Sequence, residues 1–341
     1  MLVRLLALPA LALLAAAQSV PQILVYTKTA GYYHESIPTA SAAIVRIGAA
    51  SGLFNATVSN DETLFTDAGL APFRLIAFLS NSDSVLDGDG ERALTTWLAT
   101  TGGSLVGLHA GAACLFNDTA FGVALGSWFD YHPDLQDVTF TKLVDHPTVA
   151  MLPSRYTYLE EAHHFRSDPR SVGATVLLSF DSSLVDDPRA GTRPYFEGSP
   201  PPIAWYRDRG SVDLTNGTGT GAADEAPRMT GRTWFSSLGH TTAFWEDDLN
   251  LQHVEAGLRW ALEGLDDVAN STTSPSTSSA TTPASTSSTG ATSSSPASSA
   301  PPSTSPSSTS SARRMYSSGA PTLALVVLAA ALGPWYLSRL A

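Results

Sequence analysis

The chain has 341 residues, with 19 lysines and arginines against 31 aspartates and glutamates and a net charge of −12. That acidic balance argues against nucleic acid or an anionic lipid surface as a partner, since either would meet like charge. Cys114 is the only cysteine, so no internal disulfide can form and a folded domain must rest on its apolar core.

Met1–Ala17 carries one early charge, Arg4, then a Leu/Ala run ending in Ala15-Ala16-Ala17, the pattern of a cleaved secretory signal. A folded domain is expected over 20–266. About 245 residues are ample for one core, because a domain of this size buries roughly 70 to 75% of its unfolded surface. Ile23–Tyr26, Phe73–Leu79, Ser104–Leu108 and Thr175–Phe180 are short apolar runs, as expected of central parallel strands covered on both faces. Helical spacing lies between them. Pro38 suits a first turn with Ser36 as cap, and Ala42 through Ala50 keep the period until Gly52. Arg92–Leu98 form a second helix that Gly102-Gly103 closes. The alternation predicts an α/β fold: a doubly wound, mainly parallel sheet with helices on both faces and a ligand crevice beyond the carboxyl ends of its strands.

Gly107-Leu108-His109-Ala110-Gly111 has the spacing of a nucleophile elbow, with histidine where serine or cysteine would attack. An imidazole there suits base catalysis, electrophilic assistance or metal ligation. A helix starting just after it would point a positive end at the ring and keep it neutral. Cys114 lies beyond the elbow and reads as an inert packing residue of that helix.

His34 follows the first strand and His240 follows a strand over Gly231–Leu238, so three histidines fall just past strand ends. They predict one shared crevice, able to hold a divalent metal such as zinc through His34, His109 and His240. Glu160 or Glu161 would supply a carboxylate. Of the adjacent His163 and His164, at most one can face a given site, because strand neighbours point apart. Aromatic residues, among them Tyr32, Tyr33, Trp128, Tyr131 and Trp205, flank these segments; flat rings suit the apolar faces of sugars.

Ser271–Ala312 contains only Ser, Thr, Pro, Ala and Gly and cannot offset its ordering entropy, so 270–312 reads as a glycosylated stalk. The last segment, 313–341, has an arginine pair and a broken apolar tail, Leu323–Leu337, interrupted at Gly333-Pro334. That order matches a glycosylphosphatidylinositol anchor signal, with a transmembrane tail as the rival. Asn55, Asn117, Asn216 and Asn270 begin Asn-x-Ser/Thr acceptors and are expected to be exposed. Together these place the protein at the outer face of the plasma membrane or in the cell wall.

Ordered blocks then add a resemblance. Gly31-Tyr32-Tyr33-His34-Glu35-Ser36-Ile37-Pro38, Gly102-Gly103 through His109, Tyr131-His132-Pro133, Asp145-His146-Pro147 with Glu160-Glu161, Pro202-Ile203-Ala204-Trp205, Gly231-Arg232 through His240, and Arg259-Trp260-Ala261 resemble the ThuA-like (trehalose utilisation) family over roughly Ile23–Gly264. The resemblance implies a fold related to class I glutamine amidotransferases, with the nucleophilic cysteine of the elbow replaced by His109. It also implies a sugar or sugar derivative, trehalose-related or a keto-sugar, as ligand. This chain departs from the family pattern at Ala113, where typical members carry an acid. The combined reading takes His109, His240 and Glu161 as catalytic candidates and His34, Tyr33, His132 and Trp205 as substrate-binding candidates. An enzyme so built would be a hydrolase, lyase or isomerase of carbohydrate derivatives and not a cysteine-dependent amidotransferase. The alternative is a noncatalytic carbohydrate-binding surface protein that kept the fold.

Overall fold

The computed structural model describes residues 19–210, 214 and 230–263, all within one compact unit, Met1–Thr277. The expected signal, stalk and anchor segments and Asn216 and Asn270 lie outside the described residues. Among those described, no helix is long and apolar enough to cross a membrane.

The chain runs β1 (Gln22–Tyr26), α1 (Ile37–Ser51), β2 (Asn55–Ser59), α2 (Asp67–Leu70), β3 (Phe73–Leu79), β4 (Ser82–Asp83), α3 (Gly88–Thr101), β5 (Ser104–Leu108), β6 (Ala113–Cys114), α4 (Thr119–Leu125) and β7 (Phe129–Tyr131). It continues through β8 (Gln136–Lys142), β9 (Arg155–Glu160), β10 (His164–Phe165), β11 (Thr175–Phe180), β12 (Pro202–Arg207), β13 (Thr233–Ser236) and α5 (Asp248–Leu262). Among the described residues nine strands form one sheet in the order β2-β1-β3-β5-β13-β12-β11-β8-β9. The half that carries the crossovers is parallel: β1 pairs β2 and β3, β3 pairs β5, and β5 pairs β13. From β13 outward the pairing turns antiparallel through β12, β11, β8 and β9.

Thr175–Phe180 is therefore an antiparallel strand rather than the central parallel one expected. A buried antiparallel strand covered on both faces carries the same unbroken apolar run, so composition cannot tell the two apart.

Strand alternation divides the core. Ile23 and Val25, Leu75 and Ala77, and Val106 pack on the face covered by α1 and α5, through Ile44, Val254 and Leu258. Leu24 and Tyr26, Ile76 and Phe78, and Leu105 pack on the other, under Leu94, Trp97 and Leu98 of α3 and Phe121 of α4. Helix ends obey the local signals. Gly52 and Gly102 close α1 and α3 at φ 66° and 62°, where a Cβ would be strained. Ser36 sits at the cap of α1, but its hydroxyl donates to the Gly239 carbonyl instead (3.2 Å), tying the helix start to the loop after β13. Asn55 and Asn117 are exposed.

Candidate metal centre

β5 ends at Leu108 and the chain turns sharply at His109, whose φ of 51° lies in the left-handed region, unusual for a residue with a Cβ. The flanking glycines make this turn feasible: a Cβ on Gly111 would run into the carbonyl of Phe78, and one on Gly107 into the ring of Phe235. The chain then makes a single 3-10 turn over His109–Ala112 and enters the short strand β6, in place of the α-helix expected. Cys114 lies in that strand, fully buried; burial pushes its thiol pKa well up, so it stays a protonated packing group.

Three loops at one sheet edge bring their histidines together. The His34 and His109 rings lie 4.5 Å apart, His109 and His240 5.3 Å, and His34 and His240 5.5 Å. Glu161, just past β9, completes a set whose donor atoms, one from each of these four residues, all lie within 4.8 Å of one another. Its Oε2 is 3.2 Å from His240 Nδ1, 3.2 Å from His163 Nε2 and 3.8 Å from His109 Nε2, while Oε1 is 3.3 Å from His132 Nε2.

Hydrogen bonding fixes one tautomer. His109 Nδ1 donates to the Ser237 carbonyl at 2.9 Å, so the lone pair of Nε2 faces inward. That Nε2 and Nδ1 of His34 are buried and without hydrogen-bond partners among the described residues. His240 Nδ1, though close to Glu161, is also without a bond of proper geometry. A lone pair on His109 thus faces a carboxylate oxygen at 3.8 Å, two acceptors with no proton between them. A cation held by these groups would remove the conflict. The donor set fits a divalent metal of the zinc type: three imidazoles, one carboxylate, and a hydrogen-bonded outer layer in the Ser237 carbonyl and His163.

The electrostatics agree. Burial, reinforced by neighbouring imidazoles, lowers His34 to about 4 and holds His109 well below the ordinary histidine range. Burial likewise lowers His163. Burial would raise the Glu161 carboxyl, but its close contacts with His163 and His240 prevail and keep it ionised far below the usual range. The Glu161 carboxylate in turn raises His240. Neutral His34 and His109 beside an ionised Glu161 are in the protonation states that metal ligation requires, whereas a metal would compete with the proton that Glu161 favours on His240.

The sequence candidates divide between the centre and its surroundings. His34, His109, His240 and Glu161 converge. His132 reaches the same carboxylate at the mouth, with 35% of its side chain exposed. Tyr33 is exposed on the loop before His34, whereas its neighbour Tyr32 meets the His34 ring edge-on at 4.7 Å. Trp205 does not belong to the site: it is fully buried, stacks on Phe235 at 4.2 Å and donates its indole N–H to the Leu125 carbonyl. A β12 side chain of that size fills the core because α4 covers that face.

Glu160 is not the site carboxylate. It lies beneath the His240 loop and accepts from the backbone N–H groups of Gly239 (2.6 Å), His240 (3.2 Å) and Glu161 (3.2 Å); burial raises its pKa to about 7. The low basicity of His109 comes from burial and nearby histidines, not from a helix end. The expected division of the adjacent pair holds: His163 faces Glu161 and His164 faces away. Ser237, which sets the tautomer through a backbone carbonyl, carries no sequence signal at all.

Fold and site thus define a class: an α/β protein whose elbow presents a histidine to a buried histidine–carboxylate centre. The ThuA family model, described as trehalose utilisation, matches residues 22–261, and the chain belongs to that family. A ThuA-like protein from Bacteroides uniformis is similar in structure, with a TM-score of 0.50 at 16% identity over 72% of this chain and 93% of that one. Another from Parabacteroides merdae has a TM-score of 0.46 at 15% identity, covering 72% and 91%. No curated protein matches the chain.

Proposed function

We propose that this protein is a cell-surface enzyme acting on a sugar or sugar derivative, trehalose-related or a keto-sugar, through a divalent metal held by His34, His109, His240 and Glu161. One observation carries the reading: unpartnered, buried imidazole nitrogens converge on an ionised carboxylate. The family description supports the substrate class, as does the exposed Tyr32 beside His34, whose flat ring suits a sugar face.

When bound, the metal would supply Lewis-acid polarisation of a carbonyl or hydroxyl oxygen. The chain's own groups do the rest. Glu161 Oε1, 3.3 Å from the half-exposed His132 Nε2, forms a carboxylate–imidazole pair at the mouth that can hold and pass a proton. Burial of His34, His109 and His163 keeps water from that side of the centre. The noncatalytic alternative rested on the lost acid at Ala113, but Glu161 brings a carboxylate to the cluster from another strand end, so that loss does not leave it without one.

The test is metal analysis of the purified protein, followed by assay against a panel of disaccharides and keto-sugars. About one metal per chain is expected, with turnover lost on chelation and regained on metal addition. A chain without metal in which Glu161→Gln changes neither turnover nor binding of any sugar would overturn the reading. Surface display by a lipid anchor belongs to the same proposal. Phospholipase specific for the glycosyl-inositol linkage should release the protein from cells. Retention, with Leu323–Leu337 still present in the mature chain, would favour a transmembrane tail.

A further inference from the structure

A second buried polar network lies behind the centre. β7 and β10 pair as a short antiparallel ribbon, with His164 opposite Tyr131. Their rings stack at 4.7 Å and 10° on one side of that ribbon. The flanking residues, His132 just after β7 and His163 just before β10, have ring centroids 5.6 Å apart and face Glu161. The ribbon therefore carries the rear layer, and the site-facing pair is joined to it directly by the peptide bonds Tyr131–His132 and His163–His164.

The loop between β11 and β12 grips the rear layer. Glu197 accepts from His164 Nδ1 (2.6 Å) and the Phe165 N–H (2.7 Å). Arg193 donates to Glu197 (2.8 Å), to Asp130 (2.9 Å) and to the Phe165 carbonyl (2.6 Å). Asp187 accepts from the Tyr131 hydroxyl at 2.6 Å and lies 3.4 Å from His164 Nε2. Each of these three loop side chains is at least nine-tenths buried. Burying so many charges is costly unless geometry is tightly satisfied, and none of them reaches the four-residue centre itself.

We propose that Arg193, Glu197 and Asp187 are positioning residues: by locking the back of the β7–β10 ribbon they hold His132 and His163 against Glu161, and so aim its carboxylate. The inference rests on Glu161 being the functional carboxylate. It goes further in making the distant 181–201 loop a determinant of that centre's geometry. His132 and His163 are the outer-layer partners of the Glu161 carboxylate, and loss of such partners typically changes metal affinity about 10- to 100-fold.

The test uses full-length protein labelled at histidine nitrogen. Imidazole spectra of the metal-free wild type are compared with those of Glu197→Gln, which removes the charge that Arg193 and His164 share, and of Arg193→Lys, which keeps charge but not the fork. Cobalt binding and thermal unfolding are recorded on the same samples. In a variant that still unfolds cooperatively, the His132 and His163 resonances should move together with His164, and cobalt affinity should fall about 10- to 100-fold, less for the lysine variant. Movement of His164 alone, with His132, His163 and cobalt affinity unchanged, would overturn the proposal and leave the network a purely structural brace. If wild type fails to bind cobalt, the metal reading falls, while the His132 and His163 resonances still decide the positioning question. Should both variants fail to fold, Tyr131→Phe deletes only the hydroxyl bond to Asp187; a smaller shift at both site histidines supports the inference, and no shift refutes it.

Discussion

His109 combines three constraints in one residue: a left-handed backbone, a Nδ1–H committed to the Ser237 carbonyl, and a lone pair facing a carboxylate. Removing the ring should abolish metal binding and lower turnover about 10²- to 10⁴-fold. The backbone constraint separates two ways of removing it. With φ at 51°, His109→Gly should melt higher than His109→Ala by the equivalent of about 1 kcal/mol, although both remove the same candidate metal ligand. Equal melting temperatures would mean that the turn relaxes once the ring is gone. Cys114→Ser should behave oppositely. Its thiol sits in the apolar layer under α3, 3.6 Å from the Gly111 carbonyl, so a hydroxyl costs about 1 to 3 kcal/mol while turnover is kept. An inactive but folded Cys114→Ser would revive a thiol mechanism.

At the scale of elements, the centre is assembled from loop ends that strands hold in register. The elbow is the least adjustable of them, because backbone rather than side chain closes around it. Gly111→Ala drives a Cβ into the Phe78 carbonyl of β3, and neither backbone can yield without disturbing the β3–β5 pairing. The expected loss is about 3 kcal/mol or more, read as a fall of several degrees in melting temperature together with weakened metal binding. A variant that melts and binds like wild type would show that the turn is not held by this contact. The loop after β13 is secured differently, by the Glu160 carboxylate bonding the backbone at Gly239 and His240 and by the Trp245 indole donating to the Gly239 carbonyl at 2.9 Å. Adjacent residues of one short segment thus divide the labour, Glu160 beneath the loop and Glu161 facing the histidines.

For the whole molecule, acid should be the main threat to stability, and His253 allows the effect to be measured away from the centre. It is fully buried on α5, with Nδ1 donating to the Thr148 carbonyl (2.6 Å) and Nε2 3.1 Å from the Ser236 hydroxyl; burial lowers its pKa to about 4. The unfolded chain binds this proton below about 6.5 and the folded chain only near 4. Stability therefore falls as pH drops through that window and is unaffected above it. Between about pH 7.5 and 5 the single group should account for about 2 kcal/mol of lost stability. His253→Gln keeps a donor and an acceptor without the titration, so urea unfolding of the variant should lose less stability over that interval than wild type does. Parallel losses in the two proteins would place the acid sensitivity elsewhere.

Much of this molecule was legible along the chain. Apolar runs, capping residues and the two glycines around His109 each report a local preference, and local preferences are written in neighbouring residues. They located the parallel strands β1, β3 and β5, the helices between them, and three histidines at one sheet edge. The sense of β11 was not local, because a strand buried on both faces has the same composition whichever way its neighbours run. Nor could spacing assign Trp205 to the core, separate Glu160 from Glu161, or reveal Ser237 as the group that orients His109. Those outcomes depend on which backbone carbonyl, carboxylate or ring lies opposite after residues far apart in the chain are packed together. Sequence alone determined which residues could take part in the chemistry. Tertiary packing decided which of them share one buried carboxylate, because burial, tautomer and ion pairing are properties of the neighbours that folding supplies.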